Sequence, residues 1–423
     1  MYILVTNFHS IKNKGDLGIV LGLINSLKEK SDNLHFGIVG KNIEERIWWE
    51  KNGVDFFVPL LSNPKNSGKL SAIKFCFNYY LSLFFISNSQ SASSHYKDNL
   101  EKLKTLEAYK GADLIISKGG SFFREPGYKS NILPVGILGH LHQLMVAKKL
   151  SKPVILSAQS FGPINNVYSK WILKNAFGLF DLITTRDSDS ELFLREKLGI
   201  KDNLYTVGDS AFLLGNSNGE DGDNLIFKTI ENDKKIGKKC VGLTVRSWSN
   251  KKEYDNYIKA LVYLLNIYTK KGFVFYLMPQ VVGPSSVEDD RIVSKELFGR
   301  VDVEQRKHIR LVEEELDIPD LLKLYKKMDY FIATRLHSAI FSILAEVPVV
   351  AIGYEPKTES VFKDLGILKF VSDIRYLSED KMVDLFEQLL NTQRNIYLQI
   401  KRKAFLMAEK NIELILEKIK SLR

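Results

Sequence analysis

The amino-acid sequence predicts an α/β protein built from two Rossmann-like domains that face a cleft. The chain has 423 residues, which is too long for one ordinary hydrophobic core and suits two domains of roughly 200 residues each. Short apolar runs alternate with amphipathic segments along its length, as expected of repeated strand and helix units. The runs are rich in Val, Ile and Phe without strict alternation, which indicates strands buried on both faces in parallel sheets covered by helices.

A break in this pattern divides the chain. Residues 215–224, GNSNGEDGDN, contain no apolar side chain and are typical of an interdomain linker. They separate a first domain, residues 1–214, from a second domain, residues 225–378, and the tail, residues 379–423, is predicted to form helices that pack back across the domains. The strands predicted for the first domain are YILVTN, HFGIVG, DFFVPL, ADLIIS, PVILSA, DLITTR and LYTVGD, and those for the second are CVGLTVR, FVFYLMP, HIRLVE, MDYFIATR and VPVVAIG.

The composition restricts the class of partner and the compartment. A net charge of +10 and a sequence pI of about 9.1 favour an anionic partner. Nucleic acid is not predicted, because the sequence has neither a zinc-finger spacing nor an RNA-recognition motif. The two cysteines exclude a disulfide framework and cysteine-based metal clusters. The first residues, MYILVTNFHS, lack the basic start and long apolar stretch of a signal peptide, so a cytoplasmic protein is expected.

One apolar block, Phe75–Ile86, bears on membrane contact. Its twelve residues, FCFNYYLSLFFI, are too few to span a bilayer as a helix, which takes about 20. Aromatic residues preceded by Lys65, Lys69 and Lys74 suit a membrane surface, and a buried helix explains the same pattern equally well. The first interpretation predicts reversible, peripheral contact with the inner face of the membrane.

The residues that follow each predicted strand are the candidates for a binding site, because ligands of open parallel sheets bind outside the carboxyl ends of the strands. Arginine presents a planar fork that binds carboxylate or phosphate in a bidentate manner. In TRLHS, a helix beginning near Ser338 adds free backbone N–H groups and a positive dipole end. These features predict a site for a small, multiply charged anion. The candidates are Asn7, Gly15, Asp16, Gly119, Gly120, Gln159, Arg186, Arg246, Gln280, Arg335, His337, Glu355 and Lys357.

Each of these signals also has a structural interpretation. A single arginine at a strand end is more often half of a salt bridge, and a histidine at a helix start is usually a cap or a packing residue. NKGD is a common turn, and KGGS is a tight loop that needs φ > 0. Asp289 and Asp290 follow Pro284 in a polar loop, which indicates a solvated face instead of a metal-binding pair, and no metal site is predicted.

Four segments, taken together and in order, resemble the polysaccharide pyruvyl transferase family. They are NKGDLGIVLGLINSL, DLIISKGGS, TTRDSDS and DYFIATRLHSAIFSILAEVPVVAIGYEPKTES, of which the last is the most specific. The resemblance extends from about Tyr2 to Ser360. It implies a fold like that of the two-domain glycosyltransferases called GT-B. It also implies transfer of a pyruvyl group from phosphoenolpyruvate (PEP) to two hydroxyls of a sugar, forming a cyclic ketal, with PEP as donor substrate and no cofactor.

The resemblance implies roles for individual residues. Arg186 matches the family's PEP-contacting arginine, Lys357 matches the lysine after the last strand of the motif, and the family's Arg-Leu-His triplet falls on Arg335, Leu336 and His337. The chain departs from the family at Lys118, where three consecutive glycines are frequent, and at Leu17, where an acidic or small residue is frequent. Both departures lie in the first domain, where the acceptor is expected to bind. The sequence therefore says less about the acceptor than about the donor.

The implied reaction needs a proton at C3 of PEP, stabilisation of positive charge at C2, attack by sugar hydroxyls and departure of phosphate. Histidine titrates near neutral pH, which suits the proton steps, and His337 is the best placed. Arg186 and Arg335 would neutralise carboxylate and phosphate, and Lys357 would assist the leaving phosphate. Asp16 and Glu355 are candidates for activating the acceptor hydroxyl.

Two other functions fit the same residues. A glycosyltransferase of the same fold would bring the diphosphate of a nucleotide sugar to the arginines and the helix start, with Glu355 on the ribose. A non-catalytic protein that senses a sugar or PEP would use the site without turnover. The predicted partners are PEP and a saccharide acceptor, either free or carried on a lipid.

Overall fold

A computed structural model describes residues 1–61, 68–86, 99–125, 134–215 and 224–422. Most of the predicted linker, positions 216–223, lies outside the described residues. The chain divides into two compact units. The first comprises Met1–Ile11, Ile19–Ser210 and Met407–Arg423, and the second comprises Lys12–Gly18 and Ala211–Leu406.

These units differ from the predicted boundaries, since residues 211–214 and 379–406 belong to the second unit and two further segments are assigned differently. Lys12–Gly18 joins the second unit because its backbone is hydrogen-bonded there: the Lys14 N–H donates to the Gln280 carbonyl at 3.1 Å. Met407–Arg423 joins the first unit, where the Gly208 N–H donates to the Met407 carbonyl at 2.8 Å. The last helix, Asn395–Ser421, therefore contributes residues to both units.

The first unit contains a parallel sheet with the strand order β3-β2-β1-β4-β6-β7-β8, and β5 pairs with β6. The strands are β1 Tyr2–Phe8, β2 His35–Gly40, β3 Phe56–Pro59, β4 Leu114–Ser117, β5 Gly120–Phe123, β6 Val154–Phe161, β7 Leu182–Thr185 and β8 Leu204–Thr206.

The second unit contains a parallel sheet with the order β11-β10-β9-β12-β13-β14. Its strands are β9 Lys239–Thr244, β10 Phe273–Leu277, β11 Ile309–Leu311, β12 Tyr330–Ala333, β13 Val349–Gly353 and β14 Val371–Asp373. In both sheets the chain starts in the middle, builds outward to one edge and then returns to build the other. This strand order is that of a Rossmann fold, in which the point where the order reverses is the usual ligand site.

Helices connect the strands and cover the sheets. The α-helices of the described residues are Lys14–Lys30, Arg46–Lys51, Gly68–Ile86, Leu100–Gly111, Val135–Lys149, Val167–Phe177, Ser188–Phe193, Leu225–Lys235, Lys251–Lys270, Asp290–Arg300, Ile318–Lys326, Leu336–Leu344, Pro356–Leu365, Glu379–Leu390 and Asn395–Ser421.

The two parallel sheets and the predicted strands are confirmed. Every residue of β6 and of β13 is buried, as expected for strands covered on both faces. All twelve apolar runs predicted as strands contain one. Two further strands, β5 and β14, were not predicted, because GSFF and VSD are short and half polar and carry no continuous apolar signal.

The aromatic block Phe75–Ile86 lies in the helix Gly68–Ile86, which has two different faces. Tyr79, Leu83 and Ile86 are buried in the core of the first unit. Phe77 and Phe84 are 65% and 72% exposed. The buried-helix interpretation therefore holds for one face, and membrane contact by the other face stays a prediction. None of the helices in the described part of the chain is long and apolar enough to cross a bilayer.

The buried side chain of Asn411 ties the end of the last helix to the first sheet. Its Nδ2 donates to the hydroxyls of Ser157, at 2.9 Å, and Ser210, at 3.3 Å, and its Oδ1 accepts from Thr184 Oγ1 at 2.7 Å. Each buried hydrogen bond contributes about 1 kcal/mol net, and losing one partner leaves the others unsatisfied.

We therefore expect Asn411→Leu to lower the free energy of unfolding by about 2–4 kcal/mol. Urea denaturation measures the change. Glu413→Gln, at an exposed position two residues further on, is the control and is expected to change stability by less than about 0.5 kcal/mol. Equal stability of the two variants would show that the Asn411 network does not hold this segment in place.

Candidate functional site

The strand order of the second sheet brings two predicted arginines to its reversal point. β9 and β12 are neighbours there, Arg246 follows β9 and Arg335 follows β12. Arg335 occupies the N-cap position of the helix Leu336–Leu344, with extended backbone. Two cationic side chains from distant parts of the sequence thus converge on the position where a Rossmann sheet usually binds its ligand.

Arg335 is held by Asp290. The guanidinium Nη2 donates to Asp290 Oδ1 at 2.6 Å, and the backbone N–H groups of Gln280 and Val281 donate to Asp290 Oδ2 at 3.1 and 2.9 Å. Burial raises the pKa of Asp290 although Arg335 and the two N–H groups oppose that rise. Burial alone would lower the pKa of Arg335, but Asp290 and Tyr354 outweigh it and raise the pKa.

The predicted solvated face at Asp289–Asp290 is therefore wrong for Asp290. Its side chain is 1% exposed and pairs with Arg335. The error arises because a buried carboxylate in a polar loop looks the same in sequence as a solvated one, and its partner lies 45 positions away. Asp289 caps the following helix and forms an ion pair with Arg291.

Tyr354, just after β13, lies among three cationic groups. The Arg246 guanidinium is 3.8 Å from the centre of its ring, and the Lys357 ammonium is 5.7 Å away. Burial would raise the pKa of the Tyr354 phenol, but Lys357, Arg246 and Arg335 together hold the pKa below its ordinary value. Lys357 also pairs with Glu355, with a distance of 2.6 Å between Nζ and Oε2.

Arg246 differs from the other two cations in its partners. Arg335 pairs with Asp290 and Lys357 pairs with Glu355. Arg246 donates through Nε to the Ser247 carbonyl at 3.0 Å, and no carboxylate among the described residues forms an ion pair with it. The cluster consequently carries one positive charge that its own carboxylates do not neutralise.

The segment Lys12–Gly18 lies against the same site. Besides the bond from the Lys14 N–H, the Val282 N–H donates to the Lys12 carbonyl at 3.0 Å. A Cβ atom placed on Gly15 would lie 2.3 Å from Nδ1 of His337. Only glycine allows this approach, so NKGD is more than a turn: it places Gly15 directly against the imidazole. Asp16 follows on the same segment, and its N–H donates to Asn13 Oδ1 at 3.3 Å.

Two neighbours complete this part of the second unit. Leu336, implied by the family resemblance to contact PEP, has a buried side chain. Gln280 accepts a bond from the Tyr325 hydroxyl at 2.9 Å. Within the described residues, Gln280 Nε2 and Arg335 Nε are buried donors with no hydrogen-bond partner. Unsatisfied buried donors are costly and rare, so each calls for an explanation such as a ligand.

The first sheet has its own polar cluster at its reversal point, between β1 and β4. Asn7 has a left-handed backbone, with φ of 64°, and its Nδ2 donates to Ser117 Oγ at 3.0 Å. His140 Nδ1 lies 3.2 Å from Asn7 Oδ1. The Phe122 ring stacks on His140 at 4.4 Å, with Lys118 Nζ 5.8 Å from its centre.

The predicted glycines shape the neighbouring loop of the first unit. A Cβ atom on Gly119 would lie 2.8 Å from the Ala158 carbonyl oxygen, so no larger residue fits without a backbone shift. Gln159 donates through Nε2 to the Gly120 carbonyl at 2.6 Å. Lys118, the departure from the family pattern, is almost fully buried, and its Nζ donates to the Gly119 carbonyl at 3.1 Å.

Arg186, at the end of β7, is also in the first unit. Its Nη1 lies 2.7 Å from Asp209 Oδ2 and its Nε donates to Ser160 Oγ at 2.8 Å, with both charged side chains only 1% exposed. This geometry is that of a buried structural ion pair. Nη2 of Arg186 is buried with no hydrogen-bond partner among the described residues. Contact between Arg186 and PEP stays a prediction.

The predicted residues thus fall into two groups. The second unit brings together Gly15, Asp16, Arg246, Gln280, Arg335, Leu336, His337, Glu355 and Lys357, and the first unit holds Asn7, Gly119, Gly120, Gln159 and Arg186. Asp290 and Tyr354 of the second unit, and Phe122 and His140 of the first, were not predicted as site residues. Tyr354 carried a signal, since it also follows a strand. Within the described residues, no group of three or more His, Cys, Asp or Glu side chains is arranged to hold a metal ion.

Solved structures with similar folds define the class of architecture. UDP-GlcNAc 2-epimerase from Neisseria meningitidis, in complex with UDP-GlcNAc, has a TM-score of 0.57 at 14% identity, over 99% of this chain and 100% of that chain. A trehalose-phosphate synthase (UDP-forming) from Burkholderia vietnamiensis has a TM-score of 0.55 at 12% identity, over 100% and 99%. The predicted GT-B-like fold is confirmed by these similarities.

Sequence comparison identifies the family. The family described as polysaccharide pyruvyl transferase matches residues 13–356. The chain belongs to this family of transferases, which confirms the resemblance seen in its motifs. A relative, the amylovoran biosynthesis protein AmsJ of Erwinia amylovora, is 26% identical over 418 residues, which are 95% of this chain and 95% of the relative.

We expect Gly15→Ala to displace the His337 ring, because a methyl group at 2.3 Å from Nδ1 cannot be accommodated. NMR of ¹⁵N-labelled imidazoles measures the displacement, with the His337 signals assigned from their loss in His337→Gln. Gly299→Ala, where nothing lies within 4 Å of the added atom, is the control and should leave the spectrum unchanged. Unshifted His337 signals in Gly15→Ala would contradict the contact.

Proposed function

We propose that this protein transfers a pyruvyl group from PEP to two hydroxyls of a sugar in a polysaccharide or its lipid-linked precursor, forming a pyruvate ketal and releasing phosphate. Membership of the polysaccharide pyruvyl transferase family supports the reaction class. A relative that takes part in amylovoran biosynthesis supports a polysaccharide as the acceptor. The identities of the donor, PEP, and of the product, a ketal, are proposed from the chemistry of the second unit.

The observation that carries the proposal is the uncompensated charge at Arg246. Arg246, Arg335 and Lys357 converge on Tyr354, and among the described residues their carboxylate partners are Asp290 and Glu355. The helix Leu336–Leu344 begins beside Arg335 and adds the positive end of its dipole. PEP carries a carboxylate and a phosphate on three carbons, and two guanidinium forks and an ammonium are the groups that bind such an anion. A bound anion would also satisfy the Nε donor of Arg335.

The roles of the residues follow from the balance of the reaction. The first hydroxyl gives up its proton and bonds to C2 of PEP, while the C2–C3 double bond opens and C3 gains a proton and becomes a methyl group. The second hydroxyl then bonds to C2 while the C2–O bond to phosphate breaks, and its proton leaves with phosphate. His337 is the proposed group for the proton at C3, with Gly15 fixing its ring. Arg246 and Arg335 stabilise charge on the carboxylate and phosphate, and Lys357 assists the departing phosphate.

Other residues have subordinate roles in the proposal. Tyr354 has a pKa held below its ordinary value by three cations, so its phenol is a third candidate, beside Asp16 and Glu355, for taking the proton of an acceptor hydroxyl. Recognition of the acceptor by Asn7, Gly119, Gly120 and Gln159 of the first unit stays a prediction.

The experiment that tests the function is incubation with PEP and a panel of synthetic and lipid-linked glycosides. We expect phosphate release only with both substrates present, and an acceptor whose mass rises by that of pyruvic acid less one water. UDP- and GDP-sugars are tested in parallel. An acceptor that gains a sugar from one of them, and nothing from PEP, would make the protein a glycosyltransferase. PEP binding without phosphate release for any acceptor would favour a non-catalytic sensor.

We expect Arg335→Lys to reduce PEP binding or turnover at least about tenfold although the charge is kept, because lysine cannot reproduce a bidentate fork and charge-assisted hydrogen bonds contribute about 1.5–3 kcal/mol. Calorimetric titration with PEP and initial rates measure the effect. Arg300→Lys, at a half-exposed ion pair with Glu296, is the control and should behave as wild type. Unchanged kinetics in Arg335→Lys would make Arg335 structural.

For His337→Ala we expect a folded protein that still binds PEP but turns over roughly 10²–10⁴-fold more slowly, as expected for loss of a general acid or base. Single-turnover rates and PEP titration separate the two effects. His308→Ala in the same unit is the matched control. A lowered melting temperature with the rate per folded molecule intact would instead assign His337 a capping or packing role.

A further inference from the structure

Two helices of the first unit expose aromatic side chains on one continuous face. On the helix Gly68–Ile86, the exposed residues recur at i, i+4, i+7 and i+11, so they form one stripe along the helix. The helix Val167–Phe177 continues the face, since the hydroxyls of Tyr80 and Tyr168 lie 3.0 Å apart and the rings of Tyr168 and Trp171 are stacked at 6.1 Å. This aromatic face consists of Ile73, Phe77, Tyr80, Phe84, Tyr168 and Trp171, each between 42% and 72% exposed.

Residues of three helices line one surface pocket beside the aromatic face, and the charges that these helices carry are of one sign. The helices Gly68–Ile86, Val135–Lys149 and Val167–Phe177 contain no aspartate or glutamate, although at the chain's average frequency of 50 acidic residues in 423 they would hold about five. Their charged residues are all lysines: Lys69, Lys74, Lys148, Lys149, Lys170 and Lys174.

Two carboxylates that contact these helices are engaged within the first unit. Asp181 pairs with Lys148 at 3.0 Å. Glu125 accepts a hydrogen bond from Ser169 Oγ at 2.7 Å at the start of the helix Val167–Phe177. Neither therefore offsets the remaining lysines of the three helices.

We propose that the aromatic face docks reversibly on an anionic lipid bilayer. Tyrosine and tryptophan favour the boundary between water and hydrocarbon, because their rings are apolar and their tips are polar. Lysines beside them are attracted to anionic headgroups. The composition favours lipid over a protein partner, since protein interfaces are enriched in arginine and depleted in lysine, and these three helices contain lysines and no arginine.

The packing of the helix Gly68–Ile86 determines how the aromatic face can contact a bilayer. Tyr79, Leu83 and Ile86 hold its inner side in the core of the first unit, so the helix can lie along a bilayer surface but cannot be surrounded by lipid. Contact of this kind combines a modest apolar area with screened electrostatic attraction, and it is sensitive to salt. It does not depend on the proposed pyruvyl transfer.

Sedimentation of the 423-residue chain with vesicles tests the proposal. We expect wild type to pellet with phosphatidylglycerol vesicles at about 0.05 M NaCl, much less at about 0.5 M, and little with phosphatidylcholine. Phe77→Ser/Phe84→Ser should lower the partition coefficient at least about tenfold. Ile236→Ser/Tyr376→Ser removes two equally exposed apolar side chains from the second unit and should not change it.

A second pair of variants tests the electrostatic part without touching apolar residues. Lys74→Gln/Lys174→Gln should weaken binding at low salt and flatten its salt dependence, while Lys235→Gln/Lys252→Gln, at exposed positions of the second unit, should not. If Phe77→Ser/Phe84→Ser unfolds, the lysine variants alone test the proposal. Ketal formation on a soluble glycoside should be unchanged in every folded variant, so failure of docking and failure of the proposed function are separate outcomes.

Three results would overturn the proposal. The first is wild-type protein that ignores phosphatidylglycerol vesicles at low salt. The second is vesicle binding by both the aromatic and the lysine variants at the wild-type level. The third, from sedimentation velocity, is a wild-type dimer that Phe77→Ser/Phe84→Ser dissociates, which would assign the aromatic face to self-association.

Discussion

The buried carboxylate of Asp290 is the constraint on which the candidate site of the second unit depends. Taking a carboxylate out of water is costly unless its oxygens are satisfied by well-placed donors. Arg335 supplies one donor and the loop after β10, which begins near Gln280, supplies two backbone N–H groups. That loop also binds the backbone of the segment that carries Gly15, and Gly15 lies against His337. One ion pair therefore fixes the guanidinium, the loop, the glycine segment and the imidazole together.

The electrostatics of the site follow from the same arrangement. Asp290 and Glu355 each neutralise one cation, and the charge of Arg246 is left over beside Tyr354. Because these side chains are already held by ion pairs, hydrogen bonds and ring contacts, an incoming anion would meet oriented groups and little reorganisation would be needed. The Rossmann strand order supplies the geometry, since it makes β9 and β12 neighbours and so places Arg246 beside Arg335. The first unit uses the same strand order to build a different, less cationic cluster around Asn7.

Much of this fold could be predicted from sequence because strands buried on both faces leave unbroken runs of Val, Ile and Phe. The same topology explains why Arg246 and Arg335 could be predicted as site residues. A residue that follows a parallel strand lies at the edge of the sheet where ligands bind, whichever side chains it contacts there. Asp290 could not be identified, because its role depends on a contact 45 positions away. The assignment of Lys12–Gly18 to the second unit was equally hidden, since it rests on backbone bonds that carry no sequence signal. Arg186 illustrates the opposite case, where the motif was evident but the side chain is buried beside Asp209.

The most direct test of this account is the affinity of PEP for Arg246→Met, measured by calorimetric titration. Methionine keeps much of the apolar stem against Tyr354 and removes the guanidinium of this cluster that forms no ion pair with a carboxylate among the described residues. We expect PEP to bind at least about tenfold more weakly, with the free energy of unfolding within about 0.5 kcal/mol of wild type. PEP affinity equal to that of wild type would contradict the claim that the uncompensated charge of Arg246 builds the donor site.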